Sequence, residues 1–288
     1  MPVKKVILAL IGVALIMAVG GCTGTGPKTL TAFVGSASKP PMEEAARVFQ
    51  EKTGIVVYLT FGGSGSLLSQ IELSKSGDLY IPGSPDYMVK AEHKDIVDPA
   101  SVKLLAYLIP VIAVPSGNPL GIKSLADLAR PGLEVGIGNP EAVCLGLYSI
   151  EILDYNHLLE DAGKNIVVHA KSCEDTATLI SLKSVDAVIG WDVFQHWDPD
   201  NIEVVYLAPE QLPRIAYIPA GVTRFAQDVE SAREFLQFLI SPEGQAIFQK
   251  WGYITTEEDA RKYTPAAAIG GEYQLPDKYS QILKNGGS

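Results

Sequence analysis

Cysteine and histidine are scarce in this chain, and positive charge is in the minority. The 288 residues hold three cysteines and four histidines, and 23 basic side chains face 33 acidic ones, for a net charge of −10. Each shortage removes a class of function. Nucleic acid is not an expected partner, because a phosphate backbone is held by a basic surface. His93, His157, His169 and His196 show no H-E-x-x-H spacing, and Cys144 and Cys173 are not a Cys-x-x-Cys pair, so a zinc site finds no ligand set. The phosphate-loop pattern G-x-x-x-x-G-K-S/T is missing as well, which leaves nucleotide hydrolysis without support. Long polar stretches are also lacking. With 47% apolar and 19% charged residues, the chain has ample material for a core and is expected to form one or two domains.

What is present begins at the N-terminus. Lys4 and Lys5 precede an apolar run over residues 6–19, which is short for a membrane span. Val19-Gly20-Gly21-Cys22 follows directly and resembles the lipobox of prokaryotic lipoproteins. The resemblance implies removal of residues 1–21, a lipid on Cys22, and a linker over residues 22–29. An uncleaved N-terminal anchor is the other reading. In either case the remaining chain is expected outside the cytoplasm and tethered to the membrane. In an oxidising compartment Cys144 and Cys173 could pair, and two free thiols in the core are the alternative.

The rest of the chain alternates β-rich and amphipathic runs at short spacing. Residues 30–34 read as a strand, 42–52 as a helix ended by Gly54, 55–61 as a strand, 67–76 as a helix and 78–82 as a strand. A second series follows with strands near residues 133–138, 166–170, 187–190 and 202–207. This pattern predicts an α/β fold of mostly parallel sheets covered by helices. Residues 104–114 and 215–222 read as strands crossing between two lobes, which implies a cleft and a hinge. The expected division is residues 30–112 with 219–288 as lobe one and 113–218 as lobe two. The tail from residue 255 is expected to be partly packed.

Ligands in such sheets bind beyond the carboxyl ends of the strands. Two turns of small residues occupy that position, Gly35-Ser36-Ala37-Ser38 and Phe61-Gly62-Gly63-Ser64-Gly65-Ser66. A helix start offers unpaired N–H groups, serines add neutral donors, and glycines admit a ligand close to the main chain. The pattern suits a small anion. Gly62-Gly63-Ser64-Gly65-Ser66 misses the G-x-S-x-G nucleophile pattern at its last position, so a secreted serine hydrolase using Ser64 is a competing reading of another class. Glu141, Glu174 and Asp175 sit near predicted cleft turns, as charges at helix starts or as ligand contacts.

Phe33-Val34-Gly35-Ser36, the turn from Phe61 onward, Asp78-Leu79-Tyr80-Ile81, Gly138-Asn139-Pro140-Glu141, Gly146-Leu147-Tyr148, Ile247-Phe248 and Trp251-Gly252-Tyr253 together resemble the periplasmic molybdate-binding protein family, the receptors of an ABC importer. The resemblance covers most of the chain after residue 30. It implies a two-lobed type II periplasmic binding protein, each lobe a mixed, mostly parallel sheet flanked by helices, joined by a two-strand hinge. It implies a monomer without cofactor or catalysis that captures molybdate, and tungstate with it, for a membrane permease. In that family the oxyanion is held through its oxygens by neutral donors. Carried over, these fall on the Ser36 and Ser64 hydroxyls and on the main-chain N–H groups of Leu145, with Cys144 beside it, and of Thr176. The position of the family's tyrosine falls on Trp191, a departure, since an indole offers one N–H and no hydroxyl. Asp192 would be the candidate if a carboxylate completed an octahedral metal site, as in related archaeal receptors. Sulfate or phosphate is the alternative ligand.

Overall fold

The computed structural model describes residues 27–277 and 279. The expected signal segment and Cys22 lie outside the described residues. The first lobe opens with β1 (Thr29–Gly35), α1 (Lys39–Thr53), β2 (Val56–Gly62), α2 (Ser64–Ser74), β3 (Leu79–Ile81), α3 (Pro85–His93) and β4 (Lys103–Leu108). Local sequence explains the boundaries. Prolines occupy the first turn of α1, where no N–H is needed, and Gly54 ends that helix at φ 75°. The second lobe holds β5 (Pro110–Pro115), β6 (Val135–Gly138), α4 (Cys144–Tyr155), α5 (Leu159–Gly163), β7 (Ile166–Ala170), α6 (Cys173–Ser181), β8 (Ala187–Trp191), α7 (Phe194–Trp197) and β9 (Ile202–Tyr206). The chain then returns through β10 (Arg214–Val222), α8 (Val229–Ile240), α9 (Pro242–Lys250), α10 (Glu257–Arg261) and β11 (Ala268–Ile269).

The first sheet runs β11-β10-β3-β1-β2, with β4 also on β10, and the second runs β7-β6-β8-β5-β9. β1 is parallel to β2 and β3, while β10 is antiparallel to β3 and β4. In the second sheet β6 is parallel to β7 and β8, and β5 is antiparallel to β8 and β9. Each lobe is therefore a mixed α/β sheet. Phe49 and Phe235, with ring centroids 4.9 Å apart, anchor the first core. That apolar cluster continues across the lobe boundary to Cys144, Tyr148 and Trp191. Ile112, Ile137, Leu153 and Ile189 form the core of the second lobe.

The chain changes sheet at Ile109 and within residues 207–213. The expected boundaries after residues 112 and 218 fall inside β5 and β10. Pro110 disfavours helix at Ile109, so β4 runs almost straight into β5. Asp192 clasps this crossing from both sides. Its N–H donates to Ile109 O at 3.0 Å, and its carboxylate accepts from Ile109 N–H at 3.1 Å. The tail crosses both lobes: Tyr273 N–H donates to Asp86 at 3.0 Å, and the Tyr279 hydroxyl lies 2.9 Å from His169 Nε2. Among the described residues no helix is long and apolar enough to cross a membrane.

Candidate functional site

Strand register puts three turns of the first lobe side by side. Gly35 pairs with Gly62, and Val34 with Ile81, so the segments that follow, beginning at Ser36, Gly63 and Pro82, share one edge of the sheet. Ser36 and Ser64 are both buried. The Ser64 hydroxyl accepts from Gly83 N–H at 3.0 Å, and Tyr80 OH donates to the Ser64 carbonyl at 2.8 Å. The Ser36 hydroxyl donates to Gly62 O at a long 3.3 Å. Ser64 is thus held as an acceptor, and its hydroxyl also meets the Cys144 thiol of the facing lobe. No histidine among the described residues hydrogen-bonds it, so the hydrolase reading lacks its base; His169 instead meets Tyr279.

The glycines of this edge serve a different purpose from the one expected. A Cβ at Gly63 would lie 2.8 Å from the carbonyl oxygens of both Ala142 and Lys171, and one at Gly83 would lie 2.7 Å from Cys144 Sγ. Gly65 N–H donates to Ala142 O at 2.8 Å. What approaches the main chain here is the facing lobe. Lys39 Nζ also reaches Glu174 at 2.7 Å across the boundary, so the lobes are closed on one another. That ion pair gives Glu174 a structural role, and Glu141 is exposed with its N–H on Asn139 Oδ1.

On the second lobe, the sheet carries α4 and α6 to the same edge, because Gly138 pairs with Ala170. The N–H groups of Cys144 and Leu145, in the first turn of α4, have no hydrogen-bond partner among the described residues. Leu145, with Cys144 beside it, is the donor that the family resemblance implies at this helix start. Thr176, whose N–H is the next donor implied, is already engaged. Its N–H and its hydroxyl both go to Ser172 O, at 3.1 and 2.8 Å, because the fourth residue of a capped helix already closes the first turn. Ser172 itself caps α6 by accepting from Asp175 N–H at 3.0 Å. Among the described residues, the free main-chain donors at the start of this helix are those of Cys173 and Glu174. Cys144 and Cys173 are free thiols with Sγ atoms 3.9 Å apart.

Trp191 ends β8 opposite Pro110, beside the hinge, and is fully buried. Among the described residues its indole N–H has no partner, and the same holds for the hydroxyl of Tyr148, whose ring meets Trp191 edge-on at 5.2 Å. Buried polar atoms without partners are rare in native proteins. Burial raises the Tyr148 phenol well above its ordinary value, so it stays a donor. Tyr148 was visible only as part of a family motif, and its role as a second orphan donor needed the fold. Asp192 is absorbed by the hinge. Burial raises its carboxyl to about 7, against the pull of Ile109 N–H, and among the described residues no cluster of acidic, histidine or cysteine side chains suits a metal ion.

A charged node also bridges the lobes. Arg214 donates to Asp86 of α3 at 2.9 Å and to Glu151 of α4 at 2.6 Å, and its guanidinium lies 4.1 Å from the centre of the Tyr148 ring. Burial opposes its charge, but Tyr148, Asp86 and Glu151 outweigh burial and hold its pKa above the ordinary value. Nothing in the sequence marked this node, because its members lie far apart along the chain. A groove of about 240 Å³ opens at the lobe boundary, but Glu43, Glu174 and Asp198 outnumber Lys39 in its wall, which suits no anion.

Residues 30–254 match the family described as bacterial extracellular solute-binding protein. A putative binding protein of Haemophilus influenzae is 26% identical, over 77% of this chain and 89% of its own length. A putative ABC transporter substrate-binding lipoprotein, YvgL, of Bacillus subtilis is 24% identical, over 87% and 98%. The molybdate-binding protein ModA of Rhodobacter capsulatus is 23% identical, over 84% and 94%. Among solved structures, the periplasmic molybdate-binding protein of Azotobacter vinelandii superposes with a TM-score of 0.70 at 19% identity, covering 79% of this chain and 100% of that one. The sulfate-binding protein SubI of Mycobacterium tuberculosis gives 0.72 at 16%, covering 84% and 93%. The fold is that of type II periplasmic binding proteins.

Proposed function

This chain belongs to the bacterial extracellular solute-binding protein family, a family of binding proteins and not of enzymes, and on that premise we propose that its cleft captures molybdate for an ABC importer. The reading rests on one observation. Unpartnered donors, the Cys144 and Leu145 N–H groups at the start of α4, lie where Cys144 meets Gly83 and Ser64 of the other lobe. The Trp191 N–H and Tyr148 hydroxyl add two buried donors from the same lobe as α4. Among the described residues Arg214 is the one buried cationic side chain, and two carboxylates already neutralise it. A site rich in neutral donors and free of uncommitted cations suits a small oxyanion, which takes N–H and O–H groups on all its oxygens.

Capture runs through opening. The lobes part about Ile109 and residues 207–213, the dianion sheds water, and Ser36 and Ser64 donate from the first lobe. Cys144 and Leu145 N–H groups close from the second, and Thr176 holds the α6 turn in shape. The Gly65–Ala142 hydrogen bond and the Lys39–Glu174 pair form only on closure and bias the hinge towards the closed state. Tungstate has the same shape and charge and is taken as a second ligand. A lipid on Cys22 keeps the monomeric receptor at the outer face of the membrane, as the lipoprotein relative supports.

Sulfate is the second reading, and the likeness to a sulfate-binding fold supports it. Isothermal titration against molybdate, tungstate, sulfate and phosphate decides between them. Molybdate and tungstate are expected to bind. Ser36→Ala with Ser64→Ala should weaken them by roughly 10²- to 10⁴-fold, at about 1.5–3 kcal/mol per charge-assisted hydrogen bond. Binding of sulfate alone, or unchanged affinity in the double variant, overturns the assignment.

A further inference from the structure

The thiols of Cys144 and Cys173 have no part in holding an oxyanion, yet both stand in the cleft wall. Each begins a helix, α4 or α6, and their Sγ atoms face each other at 3.9 Å. Both are buried, with exposures of 1% and 2%. The facing lobe supplies much of that cover. A Cβ on Gly83 would strike Cys144 Sγ at 2.7 Å, and α6 packs on the turn that begins at Ser36. Glu174, next to Cys173, carries the cross-lobe ion pair with Lys39. The family is extracellular, and disulfides persist in such compartments.

We propose that Cys144 and Cys173 form a redox-active pair that closes to an intramolecular disulfide when the lobes open. The oxidant class is a small or protein disulfide, R–S–S–R. One cysteine thiolate attacks it and releases R–S⁻, leaving a mixed disulfide on the chain. The second thiolate attacks the protein sulfur of that mixed disulfide and releases the second R–S⁻. Two protein thiols lose two protons and two electrons, and R–S–S–R is reduced to two R–SH. Closure opposes the reaction because the first lobe blocks the approach of R–S–S–R. The neighbouring Cys173 thiol together with burial raises the Cys144 pKa, which slows its attack. Because no bound ion enters this scheme, it stands whichever oxyanion the cleft takes.

The test starts from reduced protein exposed to oxidised glutathione at neutral pH. Peptide mapping and alkylation follow each cysteine. The expected product is a Cys144–Cys173 cross-link within one chain, two hydrogens lighter than the reduced form and restored by a thiol reductant. Cys173→Ser should instead accumulate a glutathione adduct on Cys144, because the resolving thiol is gone. Lys39→Ala, a surface change that weakens closure, should speed cross-linking roughly two- to fivefold, the range of one exposed ion pair. Two cysteines that both remain alkylatable, or that link only between molecules, overturn the pair. Cross-linking at the same rate in Lys39→Ala overturns the gating by lobe opening.

Discussion

Two of the contacts between the lobes have opposite chemistry. Around Ser36, Ser64 and Gly83 the groups are neutral, and the second lobe answers with unpartnered N–H groups and two thiols. Around Arg214 three charged groups meet, one guanidinium and two carboxylates, with the Gly271 carbonyl accepting a further hydrogen bond. The difference separates recognition from fastening. A buried arginine would be the first anion hook to suspect, but the charge of this one is already met by two carboxylates. The neutral contact has donors in surplus and is the one that can accept a ligand.

The largest expected effect breaks the charged side. Arg214→Met leaves Asp86 and Glu151 buried without a counter-charge, and should lower unfolding free energy by about 3–5 kcal/mol in urea titrations. Arg214→Lys should recover only part of this, since an ammonium cannot span both carboxylates as a planar fork does. The neutral side should respond in affinity instead. Ser36→Ala should cost about 1.5–3 kcal/mol in molybdate binding by calorimetry, with little change in melting temperature. Ser64→Ala is less clean, because its hydroxyl also accepts from the buried Gly83 N–H, and about 1–3 kcal/mol of stability should go with it.

A third change targets the close approach itself. Gly63→Ala places a methyl group 2.8 Å from two carbonyl oxygens of the facing lobe. It should disfavour closure by about 1–3 kcal/mol, seen as a larger radius of gyration in X-ray scattering of the ligand-saturated protein. Gly54, which has nothing near its Cβ position, is the control, since its substitution strains only a helix end at φ 75°. The smallest effect concerns pH at the hinge. Asp192 is raised to about 7 in the folded protein, well above a free carboxyl near 4. The folded state therefore binds the extra proton between those values, and stability from this group falls as pH rises from about 4 to 7. Asp192→Asn keeps an acceptor for Ile109 N–H without the charge, so its melting temperature should exceed that of the wild type by a few degrees at pH 8, and by less at pH 5.

Much of the first lobe was legible in the sequence because its signals are local. Alternating runs and serine-glycine turns after strands predicted the sheet edge that carries Ser36 and Ser64. The second lobe was less legible. Leu145 falls where a helix start leaves its N–H free, but Thr176 lies two to three residues past the free donors of α6, since helix capping by Ser172 fixes which donors remain. The glycines at 63 and 65 read as openings for a ligand, and only the fold shows the other lobe filling that space. Tyr148, Arg214 and the clasp of Asp192 on Ile109 depend on contacts between distant segments, which no spacing along the chain encodes.

The claim that neutral donors hold the ligand is tested most directly by titrating molybdate calorimetrically at two ionic strengths, about 0.05 M and about 0.5 M sodium chloride. Attraction to exposed cations is screened by salt, whereas hydrogen bonds in a closed cleft of an acidic protein are not. Affinity is predicted to change less than about threefold between the two. A fall of about tenfold or more would mean that an uncommitted positive side chain holds the anion, and would contradict this account of the cleft.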